Sequence, residues 1–248
     1  MSQEETVVLH WLNQSRAQRI VWLFEELGLK YEIVYYERDK NSKAPHALSE
    51  VHPLGKSPVV EIRSASGDVI KLAESGWIIQ YFLRKYDQTD NLKGSSIDAQ
   101  NEVSYFLHYT EGTLQSILDG LFTNHAAKTK AGYAARMYMA PCVKWIAQNY
   151  YKPKLLKNLN FLNGTITKQY EKYSKYIAGN SLSAADIILS FPLEIVFTRC
   201  DPMINKSLKT EYPDLYLYHQ NIRQEHGWKQ AAKKVRGFED IIFGEEIV

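Results

Sequence analysis

A serine stands where a short apolar stretch gives way to a helical pattern. In "VVLHWLNQSRAQRIVWLFEELGL" the run Val7-Val8-Leu9 leads into the polar break Asn13-Gln14-Ser15-Arg16, and Ile20, Leu23, Phe24 and Leu27 then recur at helical spacing. A hydroxyl at such a junction is a good N-cap, and it stands where the end of the helix favours an anion. A second helix start, "LAESGW", sets Glu74 beside Ser75. There the first N–H groups and the serine hydroxyl can hold a carboxylate, while Glu74 attracts an ammonium. Both residues are also ordinary helix openers. A third feature, "NSLSAADIILSFPLEIVF", puts Asp186 three residues after Ser183, a capping box with Asp in the usual Glu place. Asp186 lies at the edge of an apolar run, so it is expected to accept backbone N–H bonds rather than to do chemistry. Leu182 and Ile187 flank the box as a hydrophobic staple, and Pro192 inside the run predicts a bend.

Composition removes several alternatives. The 248 residues carry a formal charge of +2, so no excess of either sign calls for nucleic acid or an acidic membrane. No apolar run is long enough to predict a transmembrane segment. The polar, acidic start from Met1 to Thr6 argues against a signal peptide. The two cysteines, Cys142 and Cys200, fit a reducing compartment, so the expected location is cytoplasmic. Neither they nor the seven histidines show a metal-ligand spacing, and no metal site is expected.

The elements that must position these residues fall into two halves. Thr6 to His10 reads as a strand, Arg16 to Leu27 as a helix closed by Gly28, and Tyr31 to Glu37 as a second strand with Ile33, Tyr35 and Glu37 on one face. A short helical stretch follows around Pro45 to Val51. Pro58 to Ile62 and Val69 to Leu72 are strands joined by Ser64-Ala65-Ser66-Gly67-Asp68, a hairpin link. Ile79, Phe82, Leu83 and Tyr86 then restore helical spacing. A βαβ unit demands a parallel pair and a hairpin an antiparallel one, so the sheet is small and mixed. The expected division is a first domain over residues 1–87, a polar linker over 88–96 and an all-helical domain over 97–248. In the second domain Tyr105, His108 and Tyr109 share one helix face, Met137, Tyr138 and Pro141 another, and the lysines between Lys152 and Lys175 read as a solvated face.

With "APHALSEVHPLGKSPVVEI", these stretches resemble, in order and over most of the chain, the motifs of the cytosolic glutathione transferases. The opening Asn13-x-Ser15-Arg16-x-x-Arg19 is most similar to fungal and bacterial members. The resemblance implies a thioredoxin-like, glutathione-binding N-terminal domain with a mixed four-stranded sheet, followed by an all-helical domain that supplies most of the second-substrate pocket. It implies glutathione as co-substrate, with no other cofactor, small hydrophobic electrophiles as the second substrate, and a homodimer whose contact can use Trp77 and Tyr81. Glutathione peroxidase activity, or a non-catalytic ligand-binding or interaction module, is the alternative on the same fold.

The resemblance also assigns residues. Pro58 is expected to be cis, and Ser57 to pair its backbone with the cysteinyl part of glutathione as a one-residue strand addition. Glu74 and Ser75 would grip the γ-glutamyl end, and Lys43 and Lys56 would approach the glycyl carboxylate. Gly76-Trp77 departs from the family, which more often has a small hydroxyl residue after the Glu-Ser pair. The thiolate donor would be Ser15 or, one register earlier, Gln14, with the amide of Asn13 as a competing donor and a plain cap as the remaining role of Ser15. The absence of a cysteine at this junction argues against the thiol-transferase branch, which uses one there. The electrophile would be lined by Tyr105, His108 and Tyr109.

Overall fold

The computed structural model describes residues 5–129 and 132–235. The expected features at Met1 to Glu4, and the part of the helical domain beyond residue 235, lie outside them. The chain forms two compact units, the first running to Lys93 and resumed at Arg223, the second spanning Gly94–Ile222.

In the first unit the order is β1 (Thr6–Leu12), α1 (Ala17–Glu26), β2 (Glu32–Tyr36), α2 (Ala47–Val51), β3 (Val59–Arg63), β4 (Val69–Ala73) and α3 (Ser75–Tyr86). The sheet order is β2-β1-β3-β4, with β1 parallel to β2 and antiparallel to β3, and His10 level with Val34 and Val59. The helical crossover α1 enforces the parallel pair, and the Ser64–Asp68 turn, with Gly67 at φ +92°, enforces the antiparallel one. The inner strand β1 is buried from Val7 to Leu12. Strand β2 lies at the sheet edge instead, so Tyr35 is exposed and the face expected to carry Ile33, Tyr35 and Glu37 is not a core face. The segment after α3 is ordered by one carboxylate: Asp87 accepts the N–H groups of Asn91, Leu92 and Lys93 at 2.9–3.0 Å.

Helix α1 is buried on more sides than its apolar stripe requires. Every residue from Ala17 to Phe24 is buried, Trp22 and Arg19 included. Further along the chain, α12 (His226–Lys234) packs on α1, with the Trp22 and Trp228 rings meeting edge to face at 5.1 Å. Lys234 adds an ion pair to Glu25 at 2.9 Å and lies over the Tyr31 ring. The sequence pattern alone places residues 97–248 in the helical domain. The burial of Trp228 against Trp22 instead draws this last described helix into the first unit.

The second unit contains α4 (Ile97–Tyr109), α5 (Ser116–Thr129), α6 (Tyr133–Ile146), α7 (Lys152–Glu171), α8 (Ala184–Arg199), the short α9 (Asp201–Ile204) and α10 (Leu208–Glu211), and α11 (Pro213–Ile222). Wide π-helical turns at Thr110–Gln115 and Ala147–Tyr151 join α4 to α5 and α6 to α7. Helix α8 is the core, buried from Ala184 to Phe197 and continuing through Pro192. Its capping box is formed. Asp186 accepts from the Ser183 N–H at 2.8 Å, the Ile177 N–H at 2.9 Å and the Tyr218 hydroxyl at 2.8 Å. It thus anchors the helix to the preceding loop and to α11.

The docking of α12 hinges on a glycine. A Cβ at Gly227 would overlap the Glu26 carboxylate, which the Trp22 indole N–H holds at 2.8 Å. Gly227→Ala should therefore cost about 1–3 kcal/mol, as overpacking does, and lower the melting temperature by a few degrees or more. A melting curve superimposable on the parent's would mean that the Glu26 side chain swings clear of the added methyl group at no cost.

Candidate functional site

The junction between β1 and α1 is tied to the loop before β3 by hydroxyl groups. The Ser15 hydroxyl is buried at the N-terminus of α1, where it accepts the Ala17 N–H at 3.2 Å. It thus meets the first N–H of α1 from one residue ahead of the N-cap position, which Arg16 occupies. Its oxygen also lies 3.3 Å from the hydroxyl of Ser57. Ser57 in turn donates to the His10 carbonyl at 2.9 Å and accepts the Leu12 N–H at 3.2 Å. The Ser57–Pro58 peptide bond is cis, as the family resemblance implied. Below this loop His10 is buried, its Nδ1 3.0 Å from the Tyr36 hydroxyl. Burial holds its imidazole below the ordinary histidine range, so it is neutral at pH 7.

Asn13 faces the other way. Its side-chain oxygen accepts the Arg38 N–H at 2.9 Å, just beyond β2, and its backbone N–H donates to the carbonyl of Tyr36, the last residue of β2, at 3.1 Å. Only its Nδ2 can act as the expected donor. Gln14 occupies the left-handed region at φ +54° between the two. The loop that carries Lys43 is braced by residues that sequence reasoning did not single out. Asp39 accepts the N–H groups of Asn41 and Lys43, each at 2.8 Å, and donates its own N–H to the Lys43 carbonyl. The Lys43 N–H is the main reason its carboxyl lies below the usual range. Arg38 adds a bond to the Ser42 carbonyl at 3.1 Å. The spacing Asp39-x-Asn41-x-Lys43 was the available signal, since an aspartate often binds the backbone two residues on. The side chains of Lys43 and Lys56 are exposed.

At the start of α3, Glu74 has φ +69° and ψ +116°, a conformation that a side-chain-bearing residue rarely takes. Such strain costs on the order of 1–3 kcal/mol and persists only where the surroundings impose it. Here the Glu74 carbonyl accepts the Ile78 N–H at 2.9 Å, which starts the helix, and Ser75 is buried while Glu74 is exposed. Nothing in the local sequence signals this backbone.

Within the helical unit, the expected pocket residues part company. Tyr105 and His108 are exposed on α4. Tyr109 is buried, stacks on Tyr105 with centroids 5.8 Å apart, and donates its hydroxyl to Asn158 of α7 at 2.8 Å. Burial raises its phenol well above the ordinary tyrosine range. Phe106 and Phe161 complete this aromatic cluster. Among the described residues, no three His, Cys, Asp or Glu side chains are grouped to hold a metal ion.

A mixed sheet with a cis-proline loop at its heart, followed by an all-helical unit, defines a thioredoxin-like domain joined to a helical one. Residues 4–84 match the model of the glutathione S-transferase N-terminal domain, and residues 136–225 that of the C-terminal domain. Glutathione S-transferase 1 of Saccharomyces cerevisiae is 34% identical over 232 residues, covering 93% of this chain and 95% of that protein. A glutathione S-transferase structure from Actinobacillus pleuropneumoniae superposes with a TM-score of 0.72 at 28% identity, over 96% of this chain and 97% of that one. A glutathione transferase homologue from Lodderomyces elongisporus, solved with two glutathione molecules per subunit, shares the fold at a TM-score of 0.68 and 17% identity, over 93% of this chain and 99% of that one. The chain belongs to the glutathione S-transferase family.

The strained Glu74 separates binding from stability. Glycine takes positive φ without steric cost, so Glu74→Gly should melt at the parent temperature or gain up to about 1 kcal/mol. If Glu74 meets the glutathione ammonium, as the family resemblance implies, glutathione affinity should fall roughly tenfold or more, the scale of a lost charge-assisted contact. Calorimetric titration beside a melting curve reads both. Unchanged affinity would remove Glu74 from the ligand grip.

Proposed function

We propose that Ser15 donates a hydrogen bond to the thiolate of glutathione, which the first unit holds along Ser57 and the start of α3, and that this thiolate attacks a hydrophobic electrophile. As a member of its family the chain is a glutathione transferase, with glutathione as co-substrate. The observation that carries the assignment to Ser15 is its position 3.3 Å from the hydroxyl of Ser57, the residue before the cis-proline. Asn13 is turned toward β2 instead. The pattern Asn13-x-Ser15-Arg16-x-x-Arg19 supports a place among the fungal and bacterial members with that start.

The energetics are sufficient. A free thiol titrates near 8.5, and lowering that by about two units takes about 2.7 kcal/mol. A hydrogen bond to the charged sulfur supplies about 1.5–3 kcal/mol, and the N-terminus of α1 up to about 1–2 kcal/mol more. No general base is needed, and Ser15 keeps its proton. The backbone of Ser57 would pair with the cysteinyl peptide, Glu74 and Ser75 would take the γ-glutamyl end, and the exposed Lys43 and Lys56 would meet the glycyl carboxylate. Of the residues that the family resemblance implies for the electrophile, Tyr105 and His108 are exposed on α4 and Tyr109 is buried and bonded to Asn158. A cytoplasmic location is proposed from the cysteine usage: Cys142 and Cys200 are both free. No described helix is long and apolar enough to cross a membrane.

Two outcomes are expected. Glutathione should bind at micromolar to millimolar strength, and in Ser15→Ala the pKa of the bound thiol, followed by thiolate absorbance, should rise by about one to two units with little loss of affinity. Turnover at pH 7 should fall about tenfold or more and recover in part at high pH. Loss of the bond to the Ala17 N–H alone would lower the melting temperature and leave the titration in place. A shift found in Asn13→Ala instead would move the role there, and absence of any glutathione binding would favour an interaction module.

A homodimer is proposed as well. On α3, Trp77 is 46% exposed with the Arg84 guanidinium 4.8 Å above its ring and Tyr81 beside it, an aromatic and cationic face suited to a two-fold contact. Light scattering at about 10 µM should give twice the chain mass, a concentration that a stable interface with sub-micromolar Kd exceeds. A monomer there would contradict it.

A further inference from the structure

Ser57 uses its side chain as fully as its backbone. A hydroxyl has one proton to give and two lone pairs to receive with. The His10 carbonyl can only accept, so the contact at 2.9 Å takes the Ser57 proton. The Leu12 N–H can only donate, so the contact at 3.2 Å takes one lone pair. The remaining lone pair faces Ser15, whose own oxygen already receives the Ala17 N–H. In that contact Ser15 must therefore be the donor and Ser57 the acceptor. The separation of 3.3 Å is longer than the usual range for a hydroxyl pair, so the bond is weak and readily given up to a better acceptor.

Two consequences follow. The proton of Ser15 is already turned toward the loop before Pro58. The same Ser57 oxygen also bolts that loop at two points to the β3-facing edge of β1, through His10 and Leu12. We propose that the Ser57 hydroxyl is a positioning group for the thiol chemistry: it sets the spacing between the loop that pairs with glutathione and the Ser15 hydroxyl, and it aims the Ser15 proton at the incoming sulfur. When the thiolate arrives, Ser15 exchanges a long bond to Ser57 for a charge-assisted one to sulfur. Ser57 itself does not reach the sulfur with a proton, because the His10 carbonyl holds it. This inference rests on the role of Ser15 proposed above.

Threonine and valine at position 57 have nearly the same shape and suit the extended backbone that precedes a proline, and they differ in the hydroxyl. In Ser57→Val the pKa of bound glutathione should rise by about half a unit to one unit, and in Ser57→Thr it should stay close to the parent value. The KM for glutathione should change less than kcat at pH 7, because the backbone pairing is retained. The deciding measurement is the double-mutant cycle: in a Ser15→Ala background, Ser57→Val should add no further shift in the thiol titration. An equal shift in both backgrounds would overturn the proposal, as would a Ser57→Val titration unchanged from the parent. Ser57→Ala serves as the second variant if valine prevents folding, with melting curves on each protein. A Ser15→Ala titration that does not move would defeat the role of Ser15 and this inference with it. A shift in Ser15→Ala without one in Ser57→Val would defeat this inference alone.

Discussion

One serine oxygen joins the pieces that the site needs. The Ser57 hydroxyl donates to the His10 carbonyl, accepts the Leu12 N–H on the same edge of β1 and receives Ser15, so the strand, the helix start and the cis-proline loop are held as one body. Each bond is modest in water, on the order of 1 kcal/mol net. Their value is geometric. The thiolate donor proposed at Ser15 must be placed to within a fraction of an ångström, and a loop fastened to β1 at two points would offer that precision. Without the bolt, Ser15 would ride on α1 and the glutathione edge on β3, each free to shift against the other.

The remaining parts of the first unit can be understood as supports for that joint. Helix α1 carries Ser15 at its first turn and is buried along the sheet side by its apolar stripe and along the outer side by α12. The chain leaves the first unit at Lys93 and resumes it at Arg223 to supply that cover. Of the six described side-chain-bearing residues at positive φ, two lie at the candidate site: Gln14 next to Ser15, and Glu74 at the start of α3, where the γ-glutamyl grip is proposed. A site of this kind spends stability on a fixed backbone that the ligand then finds ready.

The helical unit works by a different principle. Its central helix is mostly apolar and buried from Ala184 to Phe197, and the two buried carboxylates on it are paired within the packing, Asp186 with backbone, serine and tyrosine donors and Glu194 with His219 at 2.9 Å. The aromatic face of α4 shows the same economy, with Tyr109 bound to Asn158 inside the packing and Tyr105 outside it. Residues that share a helix face in sequence need not share an environment, because a neighbouring helix covers only part of the face.

Local pattern alone was enough for the mixed sheet, for the helices α1 and α3, for the capping box and for marking Ser15, Glu74 and Ser75 as helix-start residues that could meet an anion, whereas Ser57 was assigned by the family resemblance. Strand alternation, helical periodicity, hairpin length and cap chemistry act between neighbours in the chain, and they are legible there. What the fold alone decided involves residues far apart. The pairing of Ser57 with His10, Leu12 and Ser15 spans more than forty positions, and the Glu25–Lys234 ion pair spans 209. The turn of Asn13 toward β2, the positive φ of Glu74 and the assignment of α12 to the first unit are likewise invisible to periodicity. They arise when separate elements compete for the same space and for the same few donors and acceptors, a competition that exists only once the chain has folded.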